Sequence, residues 1–188
     1  MTKKILIVAA STRPTRIGHH YAEWFAQRAG NHEAFEVQSV DLRELNLPLI
    51  DEPRHPRFGD YQHEHTKNWA ATVVGADAVV FVMPEYNFAF TAPLKNAIDY
   101  LFKEWNDKPV GFVSYGGASG GLRAVNALTP VMFALNMKTV HPVVAIPFAM
   151  RYVKDGTLEL PESFDETADA LVAALADAIG PFEADTQA

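Results

Sequence analysis

Apolar positions along the chain fall into two alternating patterns. Ile5 to Ala10, Ala78 to Met83 and Val110 to Val113 are short continuous apolar runs, as expected of strands buried on both faces of a parallel sheet. Between them, apolar residues recur at helical spacing. Ile17, Tyr21, Trp24 and Phe25 predict a first helix that stops near Gly30. Trp69 and Val73 mark a second. Leu94, Ile98, Leu101, Phe102 and Trp105 make one face of a third, with Pro93 in its first turn. Leu122, Val125, Leu128, Met132 and Leu135 predict a fourth, with a kink or break at Pro130. Leu171, Leu175 and Ile179 predict a last helix, started by a Ser163–Glu166 capping box and stopped at Gly180-Pro181.

Phe35 to Leu42 reads as a second strand, and Val140 to Ile146 as a fifth, interrupted by Pro142. The polar stretch from Arg43 to about His65 holds Pro48, Pro53 and Pro56 and predicts irregular structure. Strand and helix thus alternate about five times without repeat or linker. Such alternation specifies an α/β domain spanning residues 1–188, a parallel sheet with helices on both faces, and a frayed tail over 182–188. Ligands of such sheets bind at the carboxyl ends of the strands.

Composition narrows the chemistry. The 188 residues carry 16 basic and 23 acidic side chains, a net charge of −7. That balance argues against a nucleic-acid or anionic-membrane partner. The absence of cysteine excludes disulfides, thiol nucleophiles and iron–sulfur ligation. The apolar run after Lys4 is too short for a signal-peptide core and no run is long enough for a membrane span. A cytoplasmic protein is expected.

The loops after strands one, three and four hold the unusual residues. Ser11-Thr12-Arg13-Pro14-Thr15-Arg16-Ile17-Gly18 joins a strand to a helix start, where free N–H groups, the helix dipole, hydroxyls and two arginines suit a phosphate. It is neither a dinucleotide fingerprint nor a P-loop. Pro84-Glu85-Tyr86-Asn87 and Ser114-Tyr115-Gly116-Gly117 would admit a flat, hydrogen-bonding ring system. His55, His63, Glu64 and His65 lie near Asp51 and Glu52 in one loop, but not at His-Glu-x-x-His spacing. A solvated loop, serving as a flap or subunit contact, is expected there, with no metal site.

With these loops in view, the chain resembles the NADPH-dependent FMN reductases of the flavodoxin-like superfamily, a group that includes quinone, chromate and azo-dye reductases. The motifs are Ser11-x-Arg13-x-x-Arg16, Pro84-Glu85-Tyr86-Asn87, Leu94-Lys95-Asn96-Ala97-Ile98-Asp99 and Ser114-Tyr115-Gly116-Gly117. The resemblance implies a flavodoxin-like three-layer sandwich with a five-stranded parallel sheet in the order 2-1-3-4-5. It implies FMN as cofactor and NAD(P)H as reductant, with a quinone, free flavin or similar small acceptor. Ser11, Arg13, Arg16, Ile17 and Gly18 would hold the FMN phosphate. Pro84, Glu85, Tyr86 and Asn87 would line the ribityl chain and one ring edge. Ser114, Tyr115, Gly116 and Gly117 would meet the pyrimidine edge, the N–H groups of Gly116 and Gly117 stabilising the reduced ring. No side chain is required as acid or base.

A homodimer or homotetramer is implied, with Leu94 to Trp105 a candidate interface helix. Ala10 and Ala89 stand where the family often has Gly and Ser. Arg16, Arg54 and Arg57 are candidates for a 2′-phosphate contact. The competing readings are a non-enzymatic FMN-binding electron carrier, whose phosphate loop usually lacks arginines, and a regulatory flavoprotein.

Overall fold

A computed structural model describes residues 2–179; the expected tail and the Gly180-Pro181 stop lie outside the described residues. The chain forms β1 (Lys3–Ala9), α1 (Gly18–Gly30), β2 (Phe35–Asp41), α2 (Leu42–Leu45), α3 (Glu64–Val74), β3 (Ala78–Pro84), α4 (Ala92–Asp99), β4 (Pro109–Tyr115), α5 (Leu122–Ala134), β5 (Lys138–Thr139), β6 (Val144–Ile146), β7 (Val153–Lys154), β8 (Thr157–Leu158) and α6 (Glu162–Ile179). The main sheet runs β2-β1-β3-β4-β5, and β6 extends the last position by pairing with β4. All these pairings are parallel. This is the flavodoxin-like order.

Residues alternate cleanly between the two faces, as the two-residue period of a strand requires. Leu6, Val8, Val79, Phe81, Val110 and Phe112 face α3, α4 and α5, where Trp69, Leu94, Ile98 and Leu128 cover them. Ile5, Ile7, Val80, Val82 and Val113 face α1 and α6, meeting Tyr21, Phe25, Leu171 and Leu175. Gly111 lets α6 approach: a Cβ there would lie 3.0 Å from Leu171 Cδ1.

Several elements differ from the sequence expectations. The helix after Pro93 ends at Asp99, and Lys103–Trp105 is a separate 3-10 turn. Trp105 still reaches the core because its indole N–H donates to the Ile98 carbonyl at 3.0 Å. Helix α5 continues through Pro130. The last helix begins at Glu162, so Ser163 lies inside its first turn and is not its cap. The fifth strand is two pieces, β5 and β6, with a cis His141–Pro142 bond between them. The β7–β8 hairpin, turned by Asp155-Gly156 at positive φ, was not anticipated.

The stretch from 43 to 65 is more ordered than its prolines suggest. Asn96 bonds the Pro48 carbonyl and the Ile50 N–H, Tyr100 donates to Asp51 at 2.9 Å, and Glu52 accepts from the N–H groups of Gln62 and His63. His65 pairs with Asp51 at 3.0 Å. Among the described residues no group of three His, Asp or Glu side chains is placed to hold a metal ion, and no helix is long and apolar enough to cross a membrane.

The indole of Trp69 is buried and donates to the Ala97 carbonyl at 2.8 Å, joining α3 to α4. A Trp69→Phe variant leaves that carbonyl unpaired and also loses the five-membered ring from the core, and is expected to lose at least about 1–3 kcal/mol. Urea unfolding with an unchanged m-value measures it; a loss near zero would mean the bond holds nothing together.

Candidate functional site

The loops after β1, β3 and β4 meet at the carboxyl edge of the sheet, joined by the loop after β6. Ser11, Arg13, Arg16, Ile17, Pro84, Glu85, Tyr86, Tyr115 and Gly116 line one cavity there, together with Ala149 and Met150, and it holds about 460 Å³ of open space. Nine of the thirteen residues expected at the site therefore share one wall. Gly18 lies directly beneath it. Asn87 and Ser114 do not line it, and Gly117 lines an adjoining depression.

The first loop leaves donors and acceptors unsatisfied. Helix α1 starts with no side-chain cap and no acidic residue in its first turn, so its leading N–H groups are available to an anion. Ser11 is 1% exposed, yet its hydroxyl has no hydrogen-bond partner of good geometry; neither does Arg16 Nε nor the Tyr115 hydroxyl. Buried polar atoms without partners are rare in a folded chain and mark a place where something else binds. Burial, above all, pushes the Tyr115 phenol up, so it stays a donor. Gly18 makes the convergence possible: a Cβ would stand 2.2 Å from the Tyr115 oxygen and 2.3 Å from Ser11 Oγ.

The two arginines differ. Arg16 is largely buried and ion-paired with Asp41, which also caps α2 by accepting from Arg43 N–H. Arg13 forms no ion pair among the described residues; its guanidinium lies 5.5 Å from the centre of the Tyr86 ring. His19 nearby has its pKa lowered by burial, then by His20 and Arg16.

The loop after β3 is a two-residue hairpin. Tyr86 and Ala89 exchange both backbone hydrogen bonds at 2.9 Å, and Asn87 and Phe88 take φ of 49° and 66°, the type I′ pattern. Asn87 thus has a conformational role that its place in the motif does not reveal. Glu85 turns toward the fourth loop. Its carboxylate accepts from Ser119 Oγ at 2.7 Å and from Arg123 N and Nη1 at 3.1 and 3.2 Å. Burial raises its pKa, but these bonds outweigh burial and lower it. Glu85 therefore clasps the start of α5 as an anion.

The fourth loop is held from within. Ser114 donates to the Gly120 carbonyl at 2.9 Å, so its hydroxyl shapes the turn. Gly121, at φ 87°, sits where a Cβ would meet Tyr115 N at 2.7 Å. One expectation fails outright: the Gly116 N–H already donates to the Ile146 carbonyl at 3.2 Å, which continues the β4–β6 ladder. Of the two amides assigned to the reduced ring, only that of Gly117 lacks a backbone partner. Of the stretch expected to serve as a flap or a subunit contact, residues 51–65, none lines this cavity, and His55 and Pro56 line a separate groove with α4 and α5.

Ala149 and Met150, which line the cavity, were missed. Nothing in their residue types signals a site. The available signal was topological: Pro147 closes the fifth strand, and that strand's carboxyl end lies on the same edge.

The model of the NADPH-dependent FMN reductases matches residues 3–151. The chain belongs to that family. It is 37% identical to an NAD(P)H-dependent FMN reductase of Schizosaccharomyces pombe, over 85% of this chain and 80% of that one. It is 34% identical to a probable NADPH:quinone oxidoreductase of Oryza sativa, over 72% and 68%. Among solved structures, the flavoenzyme NAD(P)H:(acceptor) oxidoreductase of Paracoccus denitrificans shares the fold, with a TM-score of 0.75 at 20% identity over 95% and 97% of the two chains. The family's cofactor is FMN and its reductant NAD(P)H, and this chain is an oxidoreductase. The unpartnered Ser11 hydroxyl, Arg16 Nε and Tyr115 hydroxyl fit a flavin phosphate.

A Gly18→Ala substitution forces a methyl group between two buried hydroxyls. It is expected to cost about 1–3 kcal/mol and to lower the flavin retained per chain. Adding Tyr115→Phe removes one clash and should restore part of the stability. Thermal unfolding and flavin-to-protein ratio are the readouts; a Gly18→Ala protein that matches the parent in both would refute the close packing.

Proposed function

We propose that the cavity holds FMN and that the chain passes reducing equivalents from NAD(P)H to a quinone or similar small acceptor in the cytoplasm. The observation that carries the reading is the group of buried, unpartnered polar atoms at the uncapped start of α1. Ser11, the leading N–H groups of α1 and the guanidinium of Arg16 take the phosphate, with Asp41 fixing the direction of Arg16. Arg13 closes over it from the Tyr86 side. Backbone from Pro84 to Tyr86 borders the ribityl chain and one ring edge, and Tyr115 and Gly116 border the other, with Asn87 shaping the turn and Gly117 at the adjoining depression. Ser114 and Glu85 keep those two loops in shape and touch the ligand through their backbone at most.

Bound flavin supplies the hydride chemistry, accepting from a nicotinamide and returning to an acceptor. The protein supplies position, and no side chain in the cavity has to move a proton. The cavity is open to solvent, so one exposed face of the flavin can serve both substrates. Reductant and acceptor therefore use the same face in turn. The relatives named for quinone support the acceptor class.

Two copies associate through the face of α4 and α5 in this reading. Phe133 on α5 is 87% exposed and Leu49, in the segment that Asn96 of α4 holds, is 83% exposed, and such an interface would cover them.

Steady-state turnover with NADPH and a soluble benzoquinone should give parallel double-reciprocal lines, the pattern of alternating use of one site. Intersecting lines would mean that both substrates bind together and would overturn the single-face reading. Arg13→Ala removes one charge-assisted bond to the phosphate and should weaken FMN binding about tenfold or more, with stability unchanged because Arg13 has no protein ion pair. Arg13→Ala with Arg16→Ala should purify almost colourless. Full FMN content in the double variant would remove the phosphate assignment.

A further inference from the structure

The segment after β6 carries chemistry that the flavin site does not use. Phe148 takes φ of 49°, a conformation that a bulky side chain rarely adopts. It is held there on all sides. Its N–H donates to the Gly117 carbonyl at 2.9 Å, the Ala149 N–H to the Gly116 carbonyl at 3.0 Å, and the Tyr21 hydroxyl to the Ala149 carbonyl at 2.7 Å. Ala149 is buried, while the side chains on either side of it remain in solvent, with Phe148 51% and Met150 68% exposed. A strained backbone that fixes two large apolar groups outside the core asks for a functional reason.

Arg151 completes the arrangement. Its guanidinium lies 4.7 Å from the centre of the Phe148 ring and 5.9 Å from that of Tyr152. It makes no ion pair with a carboxylate among the described residues, in a chain of net charge −7. Gly117, Phe148, Met150 and Arg151 line an open depression of about 720 Å³ that shares Gly116, Ala149 and Met150 with the flavin cavity. A ligand over the flavin can thus extend directly into it.

An apolar and aromatic platform beside an exposed guanidinium that has no carboxylate partner suits a flat heterocycle that carries a phosphate. The ring rests on Phe148 and Met150, and the planar fork of arginine grips phosphate oxygens in pairs. A quinone has no such group. The other arginines considered for this role are committed elsewhere: Arg16 to Asp41 and Arg54 to Asp60, with Arg57 on the 3-10 turn Pro56–Phe58, whose residues do not line the cavity. We propose that the segment Phe148 to Arg151 is the adenosine subsite for NADPH, and that Arg151 binds the 2′-phosphate and so sets the preference for NADPH over NADH. The proposal rests on the flavin reading of the neighbouring cavity.

The test uses fragments that carry only the adenosine half. Adenosine 2′,5′-bisphosphate and 5′-AMP are titrated by calorimetry into the purified protein and into Arg151→Ala and Arg151→Lys variants. The parent should bind the bisphosphate at least about tenfold more tightly than 5′-AMP, as one charge-assisted pair implies. Arg151→Ala should abolish that difference, and Arg151→Lys should keep part of it. In turnover, Arg151→Ala should raise KM for NADPH about tenfold or more and leave kcat and the NADH parameters alone. A parent without preference, or an Arg151→Ala protein that retains it, overturns the proposal. The titration does not depend on flavin content. A protein that holds no FMN but still reads the bisphosphate through Arg151 would therefore defeat the flavin reading alone.

Discussion

Burial of β1, β3 and β4 on both faces is the constraint on which the rest depends. Every residue of β3 and β4 is buried, so their backbone hydrogen bonds must be completed within the sheet and their side chains must alternate between two helical layers. The helices that cover the sheet must then return the chain to the same edge before each new strand. The loops that leave the carboxyl ends of β1, β3, β4 and β6 meet as a consequence, and the cavity is what lies between them. The core on either side can be varied within volume limits. The edge at which these loops meet is fixed by the topology alone.

At that edge the chain departs from the economy seen elsewhere. Most of the core is satisfied: Trp69, Trp105, Tyr21 and Ser114 each find a carbonyl. Around the start of α1, four buried polar atoms do not: Ser11 Oγ, Arg16 Nε, His19 Nδ1 and the Tyr115 hydroxyl. Their desolvation opposes folding, and in the proposed reading a bound phosphate offsets it. Two of the left-handed residues on this edge, Phe88 and Phe148, carry bulky side chains that rarely adopt that conformation, and hydrogen bonds of the neighbouring backbone hold them there.

Much of this was legible in the sequence. Continuous apolar runs, six residues long at β1 and β3 and four at β4, located these strands because burial on both faces favours such runs. The first loop was readable because Ser11, Arg13 and Arg16 stand between a strand and a helix start, and that position has a physical meaning. What stayed hidden was relational. The sequence does not say that Ser114 spends its hydroxyl on Gly120, that Glu85 turns to Ser119 and Arg123, or that Gly116 gives its N–H to Ile146. Each depends on a partner distant in sequence or on the exact path of a turn. Pro130 misled for a related reason: on the exposed side of α5 a proline costs one hydrogen bond, and packing of Leu128 and Met132 carries the helix through it. The loop of Ala149 and Met150 had no chemical signature at all.

The central claim is that this cavity holds a flavin which NADPH can reach. The direct test is the visible spectrum of the purified protein during anaerobic titration with NADPH. The account predicts a flavin band near about 450 nm that bleaches with one equivalent of NADPH per bound FMN. A protein that remains yellow after the addition, or one that stays colourless after incubation with FMN, would contradict it.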